Sequence, residues 1–66
     1  MKVKKDEFLR NMEVHNLNFT EVAGKMKISR SYLWEVLEGK KRPGGKFLVG
    51  LKLVFPDVQI ENILEI

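Results

Sequence analysis

The side chains best suited to binding another molecule lie between residues 29 and 42. The first group falls within one predicted helix and consists of Arg30, Ser31, Trp34, Glu35 and Glu38. The second group is the run of three cations Lys40, Lys41 and Arg42. A guanidinium donates several hydrogen bonds, a hydroxyl donates and accepts, and an ionised carboxylate only accepts. This combination suits recognition of a partner by hydrogen bonding, and adjacent cations suit contact with a polyanion.

Two helix-start patterns, eleven residues apart, predict the elements that position the first group. Asn18 can cap the backbone amide of Glu21, whose carboxylate can return to the amide of Asn18 to complete a capping box. Ser29 predicts the start of a second helix, and Gly39 predicts its end because glycine adopts the left-handed conformation freely. Two short helices joined by a tight turn form a helix-turn-helix, predicted here at about residues 18–38.

Apolar spacing predicts which face of each helix is buried. The inward stripes are Phe19, Val22, Ala23 and Met26 on the first helix and Leu33, Val36 and Leu37 on the second. The first polar group is left on the outward face of the second helix. A helix with arginine and serine in its first turn, supported by another helix, presents these side chains to a partner.

Three further helices are predicted around this pair, at residues 5–15, from 45 or 46 to 55, and from about 60. Asn16 is expected to end the first of these in a left-handed conformation, and Pro56 to end the second. The expected inward side chains are Phe8, Leu9, Met12, Phe47, Leu48, Leu51, Val54 and Phe55. No segment has a convincing strand pattern, so the expected class is all-α, a compact five-helix domain.

The sequence predicts different roles for the two ends of the chain. Residues 1–5 are either a frayed, solvated terminus or a flexible basic arm that reaches along a phosphate backbone or into a minor groove. Residues 56–66 contain the apolar side chains Val58, Ile60, Ile63, Leu64 and Ile66. This tail is expected to fold back on the core and to contribute to a homodimer, because so small a core supplies only about 3–5 kcal/mol.

Length and composition restrict the class of protein. Sixty-six residues make a single domain, and a hydrophobic fraction of 44% is too high for a disordered chain. There is no cysteine, and the one histidine, His15, has no partner motif, so we expect no metal, no cofactor and no enzymatic activity. No apolar run approaches the roughly 20 residues of a membrane span, and the first residues do not form a signal peptide. A cytoplasmic location is expected.

The charge is unevenly distributed. Residues 1–52 hold all twelve lysines and arginines with six of the nine acids, whereas residues 57–66 hold the other three acids. The net charge of +3 therefore combines a basic body with an acidic tail. A basic body suits a polyanion such as nucleic acid.

Residues around the predicted helix pair carry a family pattern. They are Leu17, Glu21, Val22, Ala23, the run Ile28-Ser29-Arg30-Ser31-Tyr32-Leu33, Val36, Gly39, Lys40 and Pro43. From residue 17 to about 58 the chain resembles the lambda-repressor/Cro-like helix-turn-helix family, also called the XRE family, of five-helix DNA-binding domains. It looks most like the short Cro-like or repressor-like proteins of bacteriophages and mobile elements of Firmicutes, which implies a bacterial cell or a phage-infected host.

The resemblance implies a role for each polar side chain, with the second helix of the pair in the major groove of DNA. Base contacts would come from Arg30, Ser31 and Glu35. The groove edge or the DNA backbone would be met by Ser29, Tyr32, Lys40, Lys41 and Arg42. Trp34 is expected either to stack on a sugar or a thymine methyl group at the groove wall, or to contact a protein.

Three positions depart from the family pattern. Phe19 stands where the family commonly has glutamine, so it is expected to pack rather than to contact phosphate. Lys27 stands at a turn position usually held by glycine, where positive φ would cost about 1 kcal/mol. Glu38 replaces an asparagine, and its charge is unfavourable beside the DNA backbone unless Lys40 or Lys41 neutralises it.

The leading hypothesis is a sequence-specific transcriptional regulator, a repressor or Cro-like switch protein. It would bind an inverted-repeat operator in double-stranded DNA as a homodimer. The alternative is a protein-interaction module of the same fold, which binds a larger repressor or the transcription machinery through Trp34 or the apolar tail. Salt dependence distinguishes the two, since binding to DNA weakens steeply as salt is added.

Overall fold

The computed structural model describes residues 1–65 and is mostly helical. In chain order the elements are β1 (Lys2–Val3), α1 (Lys5–Val14), α2 (Phe19–Met26), α3 (Arg30–Leu37), α4 (Gly45–Val54), α5 (Ile60–Ile63) and β2 (Leu64–Glu65). They form a compact body with a Cα radius of gyration of 10.3 Å. The prediction of five helices is confirmed, but the prediction that the chain contains no strand is wrong.

Helices α2 and α3 begin at the predicted capping residues, and α3 ends before the predicted glycine. The Asn18 side chain accepts a hydrogen bond from the Glu21 amide at 2.8 Å, and the Glu21 carboxylate accepts one from the Asn18 amide at 2.9 Å. The Ser29 hydroxyl accepts from the Tyr32 amide at 3.0 Å at the start of α3. Gly39 follows α3 with φ +79°, as predicted for a left-handed stop. The capping box and both cap residues are therefore confirmed.

Three phenylalanines form the centre of the core. The ring of Phe8 lies 6.1 Å from that of Phe47 and 5.5 Å, edge to face, from that of Phe55. The predicted stripes on α3 and α4 are buried around them, except that Leu48 is only partly buried. Leu9 was predicted to be inward and is 41% exposed, because the face of α1 toward the core runs through Phe8 and Met12.

The two ends of the described chain pair with each other. Lys2 is opposite Glu65 and Val3 is opposite Leu64 in an antiparallel ladder, and the Lys4 amide donates to the Ile63 carbonyl at 2.6 Å. Residues 2–4 are therefore held by backbone hydrogen bonds, whereas the sequence predicts either a frayed terminus or a flexible arm. Two-residue strands have no periodicity of their own, so the sequence gives no signal for them.

The apolar tail folds back onto the core, as expected. Ile63 and Leu64 are buried, and Val58 and Ile60 pack against the core while partly exposed. The last helix is shorter than predicted, since Leu64 already belongs to β2. The prediction for Ile66 lies outside the described residues, and the homodimer stays a prediction.

Lys27 ends α2 with φ +59° and ψ +41°, the left-handed conformation that its position predicts. Replacing Lys27 with glycine should raise the free energy of unfolding by up to about 1 kcal/mol, because glycine adopts this conformation without the Cβ clash. Urea denaturation followed by circular dichroism would measure the change. Lys25→Gly, inside α2, is the matched control and should cost roughly 0.5–1 kcal/mol. Equal destabilisation by both changes would contradict strain at residue 27.

Candidate nucleic-acid interface

The outward face of α3 presents most of the predicted polar group. Arg30, Ser31, Trp34 and Glu38 are exposed, whereas Glu35 is only half-exposed. The opposite face of the same helix buries Leu33, Val36 and Leu37. Burial of this stripe fixes the rotation of α3 about its axis, and this rotation holds the exposed side chains on one side of the molecule.

Arg30 lies beside the start of α2. Its Nη1 atom is 3.5 Å from the hydroxyl oxygen of Thr20, which is in the first turn of α2 and is exposed. The arginine therefore projects from α3 toward the beginning of the preceding helix. Thr20 was not among the residues predicted from the sequence. Its position in the first turn of α2, two residues after the cap Asn18, was the signal that could have indicated it.

Trp34 has two neighbours that hold its ring. The Phe19 ring meets it edge to face with centroids 6.4 Å apart, and the Lys5 Nζ atom lies 5.5 Å from the centre of the indole ring. Phe19 packs partly buried against the core, as expected from its apolar character. The contact with Lys5 has the distance of a cation–π interaction. Lys5 was not among the predicted site residues.

Both acids at this face are paired with cations. Lys41 Nζ is 3.4 Å from a carboxylate oxygen of Glu35, and Lys5 forms an ion pair with Glu38. The cation that neutralises Glu38 is therefore Lys5, whereas the sequence suggested Lys40 or Lys41 for this role. The start of α1 lies next to the end of α3, and this packing places Lys5 beside Glu38 although the two residues are 33 positions apart in the sequence. Exposed pairs of this kind stabilise folding little, and their effect here is to orient the charges.

Ser29 and Tyr32 have local roles besides any contact with a ligand. The Ser29 hydroxyl caps α3, and the half-buried Tyr32 accepts a hydrogen bond at its phenol oxygen from the Gly44 amide at 3.3 Å. The Lys41 Nζ atom lies 5.9 Å from the centre of the Tyr32 ring. Tyr32 thus contacts the segment that follows α3, and this segment contains the cation run.

A charged groove with a volume of about 920 Å³ lies between the end of α3, the cation run and the N-terminal residues. The cations that line it are Lys2, Lys4, Lys5, Lys40, Lys41 and Arg42. They are half of the twelve lysines and arginines of the chain, and four acids also line the groove. The β1–β2 pairing brings the N-terminal lysines to the predicted backbone-binding run, which sequence reasoning did not foresee.

The described residues contain neither a metal-binding cluster nor a membrane-spanning helix. Across residues 1–65 there is no group of three or more His, Cys, Asp or Glu side chains that could hold a metal ion. His15 stacks on Phe55 with ring centroids 5.1 Å apart, and its Nδ1 atom is 2.8 Å from the Asn11 carbonyl oxygen. None of the helices in the same range combines the length and the apolar character needed to cross a membrane.

Comparisons of the chain with protein-family models, with curated proteins and with solved structures find no match. The candidate interface therefore rests on the chemistry and geometry of its own residues. These are the outward face of α3 and the charged groove beside the end of that helix.

Proposed function

We propose that the protein is a sequence-specific DNA-binding transcriptional regulator with a lambda-repressor-like fold, which recognises the major groove with α3. The observation that carries the proposal is the placement of Arg30 and Ser31 on an exposed helix face beside a groove lined by six cations. An α-helix fits the major groove, where each base pair has its own pattern of donors and acceptors. Cations flanking the helix supply affinity for phosphate without regard to sequence.

Each base-contacting residue has a chemical counterpart in the groove. Arg30 can donate two hydrogen bonds to the O6 and N7 atoms of guanine, and Ser31 can donate to or accept from most bases. Glu35 can accept from the cytosine amine, but in the free protein its carboxylate pairs with Lys41. A phosphate near Lys41 would compete for the ammonium group and leave Glu35 available to a base.

The residues around α3 would fix its position on the duplex. Lys40, Lys41 and Arg42 would contact phosphates, and Ser29, Tyr32 and Thr20 would lie near the groove edge. Contacts with phosphate and sugar set register and orientation and carry no sequence information directly. The groove cations would therefore change affinity for all sequences alike, whereas Arg30 would change the preference among sequences.

A repressor or Cro-like switch protein of this size would act as a homodimer on an inverted repeat. Two copies related by a twofold axis would recognise half-sites about 34–36 Å apart, one helical turn of DNA. The tail would contribute Val58 and Ile60 to the dimer, because these side chains stay partly exposed while Ile63 and Leu64 are buried within the chain. Control would come from the concentration of the protein and its competition with other regulators for the operator.

Selection of duplexes from a random pool, followed by fluorescence anisotropy at two salt concentrations, tests the proposal. The wild type should select a preferred sequence, and Arg30→Ala should bind it roughly tenfold more weakly per half-site, the effect of losing one bidentate base contact in each. Arg10→Ala is the matched control, since Arg10 is exposed on α1 and its one ion pair among residues 1–65 is with Glu7 at 3.6 Å. Selection of no preferred sequence by the wild type would refute a sequence-specific regulator. Equal effects of the two substitutions would exclude Arg30 as a base contact.

A protein-interaction module is the second candidate function. It is favoured by the pairing of Glu35 and Glu38 with Lys41 and Lys5, which reduces the positive potential of the face, and by the exposure of Trp34. Such a module would bind a larger repressor or the transcription machinery. It would show little affinity for duplex DNA even at low salt, whereas a groove-binding protein gains affinity steeply as salt is removed.

A further inference from the structure

An exposed tryptophan lies within the proposed DNA-binding face. Trp34 follows Arg30 by four residues and Ser31 by three, so the three side chains share one side of α3. Its side chain is 51% exposed, and its neighbours along this face are polar or charged. Trp34 is not part of the core, because Leu33, Val36 and Leu37 form the buried side of the helix.

The indole ring is held in place rather than free to turn. Lys5 lies over the ring, and Lys5 is itself held by its ion pair with Glu38. Phe19 meets the ring edge to face from α2. These two contacts reduce the number of Trp34 rotamers available to the free protein, so less conformational entropy remains to be lost on binding.

We propose that Trp34 recognises the 5-methyl group of a thymine in the major groove, and so determines specificity beside Arg30. This inference rests on the proposed binding of DNA by α3. The thymine methyl is the apolar group that the major-groove edge of a base pair presents. A large apolar side chain beside an arginine and a serine can therefore discriminate bases by this group, while its polar neighbours discriminate by hydrogen bonds.

Deoxyuridine substitution tests the contact, because it removes the methyl group and leaves the hydrogen-bonding edge of the base unchanged. Each thymine of the duplex selected by the wild type would be replaced in turn by deoxyuridine, and affinity would be measured by anisotropy. The substitution should weaken wild-type binding about fourfold at one thymine per half-site, the effect of one methyl group returned to water. In Trp34→Ala the same substitution should change affinity by less than about 1.5-fold, since the partner of the methyl is gone.

Two control variants make the result specific. Leu53→Ala removes an apolar side chain that is also 51% exposed but lies on α4, and it should keep the full deoxyuridine effect. Trp34→Gln removes the ring and keeps a long side chain, and it should lose the effect as Trp34→Ala does. Far-UV circular dichroism verifies that each variant is folded, which we expect because alanine and glutamine favour helices.

The outcomes separate this inference from the proposed function. Sequence-preferring binding with no sensitive thymine, or with a sensitive thymine that remains sensitive in both Trp34 variants, overturns the methyl contact and leaves the regulator intact. The first of these results is expected if Trp34 packs on a sugar or contacts a protein instead. Absence of any sequence preference in the wild type overturns the regulator and the methyl contact together.

Discussion

Replacing Lys40, Lys41 and Arg42 together by glutamine is expected to weaken binding to duplex DNA by several hundredfold for each bound protomer at about 0.1 M salt. Each neutralised phosphate releases condensed counterions, and the logarithm of the affinity falls with the logarithm of salt by about 0.9 per contact. Loss of three contacts per protomer should make this slope shallower by about 2 to 3 for each protomer bound. Anisotropy titrations across a series of salt concentrations measure both quantities.

The control for net charge is the triple variant Arg10→Gln, Lys25→Gln, Lys52→Gln. These three exposed cations are not among the residues that line the charged groove, and their replacement lowers the net charge by the same amount. This variant should keep nearly the wild-type slope, because long-range attraction is largely screened at this salt concentration. If both triple variants lose the same affinity and the same slope, the cation run does not contact phosphate.

Gly50→Ala is expected to lower the free energy of unfolding by roughly 2–3 kcal/mol, the upper part of the cost of an overpacked core. Gly50 lies where α4 crosses α2, and a Cβ atom there would stand 2.8 Å from the Met26 Cβ and 3.0 Å from the Met26 carbonyl oxygen. Because one of these neighbours is backbone, a change of rotamer cannot relieve the contact and the helices must separate. For a domain whose core supplies only about 3–5 kcal/mol, this loss removes a large part of the stability.

Gly24→Ala is the matched control for this prediction. Gly24 is an exposed residue inside α2, and a Cβ atom there would meet nothing within 4 Å. Alanine should raise the free energy of unfolding by up to about 1 kcal/mol, because it favours the helix more than glycine does. Urea denaturation followed by circular dichroism compares the two variants. An unchanged or higher midpoint for Gly50→Ala would show that α2 and α4 are not in the close contact described.

The sequence predicted much of the local structure because local chemistry specifies it. Asn18, Glu21 and Ser29 begin helices through hydrogen bonds that span three residues, so their effect is visible in the sequence alone. The burial of Leu33 and the exposure of Arg30 follow from helical spacing in the same way. Prediction failed at Leu9, because the apolar spacing of α1 does not determine which of its flanks the other helices cover, and the face toward the core runs through Phe8 and Met12.

By itself the sequence determined the five helices, the turn between α2 and α3, and the outward position of Arg30, Ser31 and Trp34. Only the tertiary structure decided which distant residues meet these side chains. The pairing of Glu38 with Lys5 joins residues 33 positions apart, and the β1–β2 pairing that brings Lys2 and Lys4 to the groove joins the two ends of the described chain. The close contact of Gly50 with Met26 likewise depends on how two helices cross. Capping and amphipathic spacing act over a few residues, whereas these contacts depend on the packing of the whole core, which no short stretch of sequence encodes.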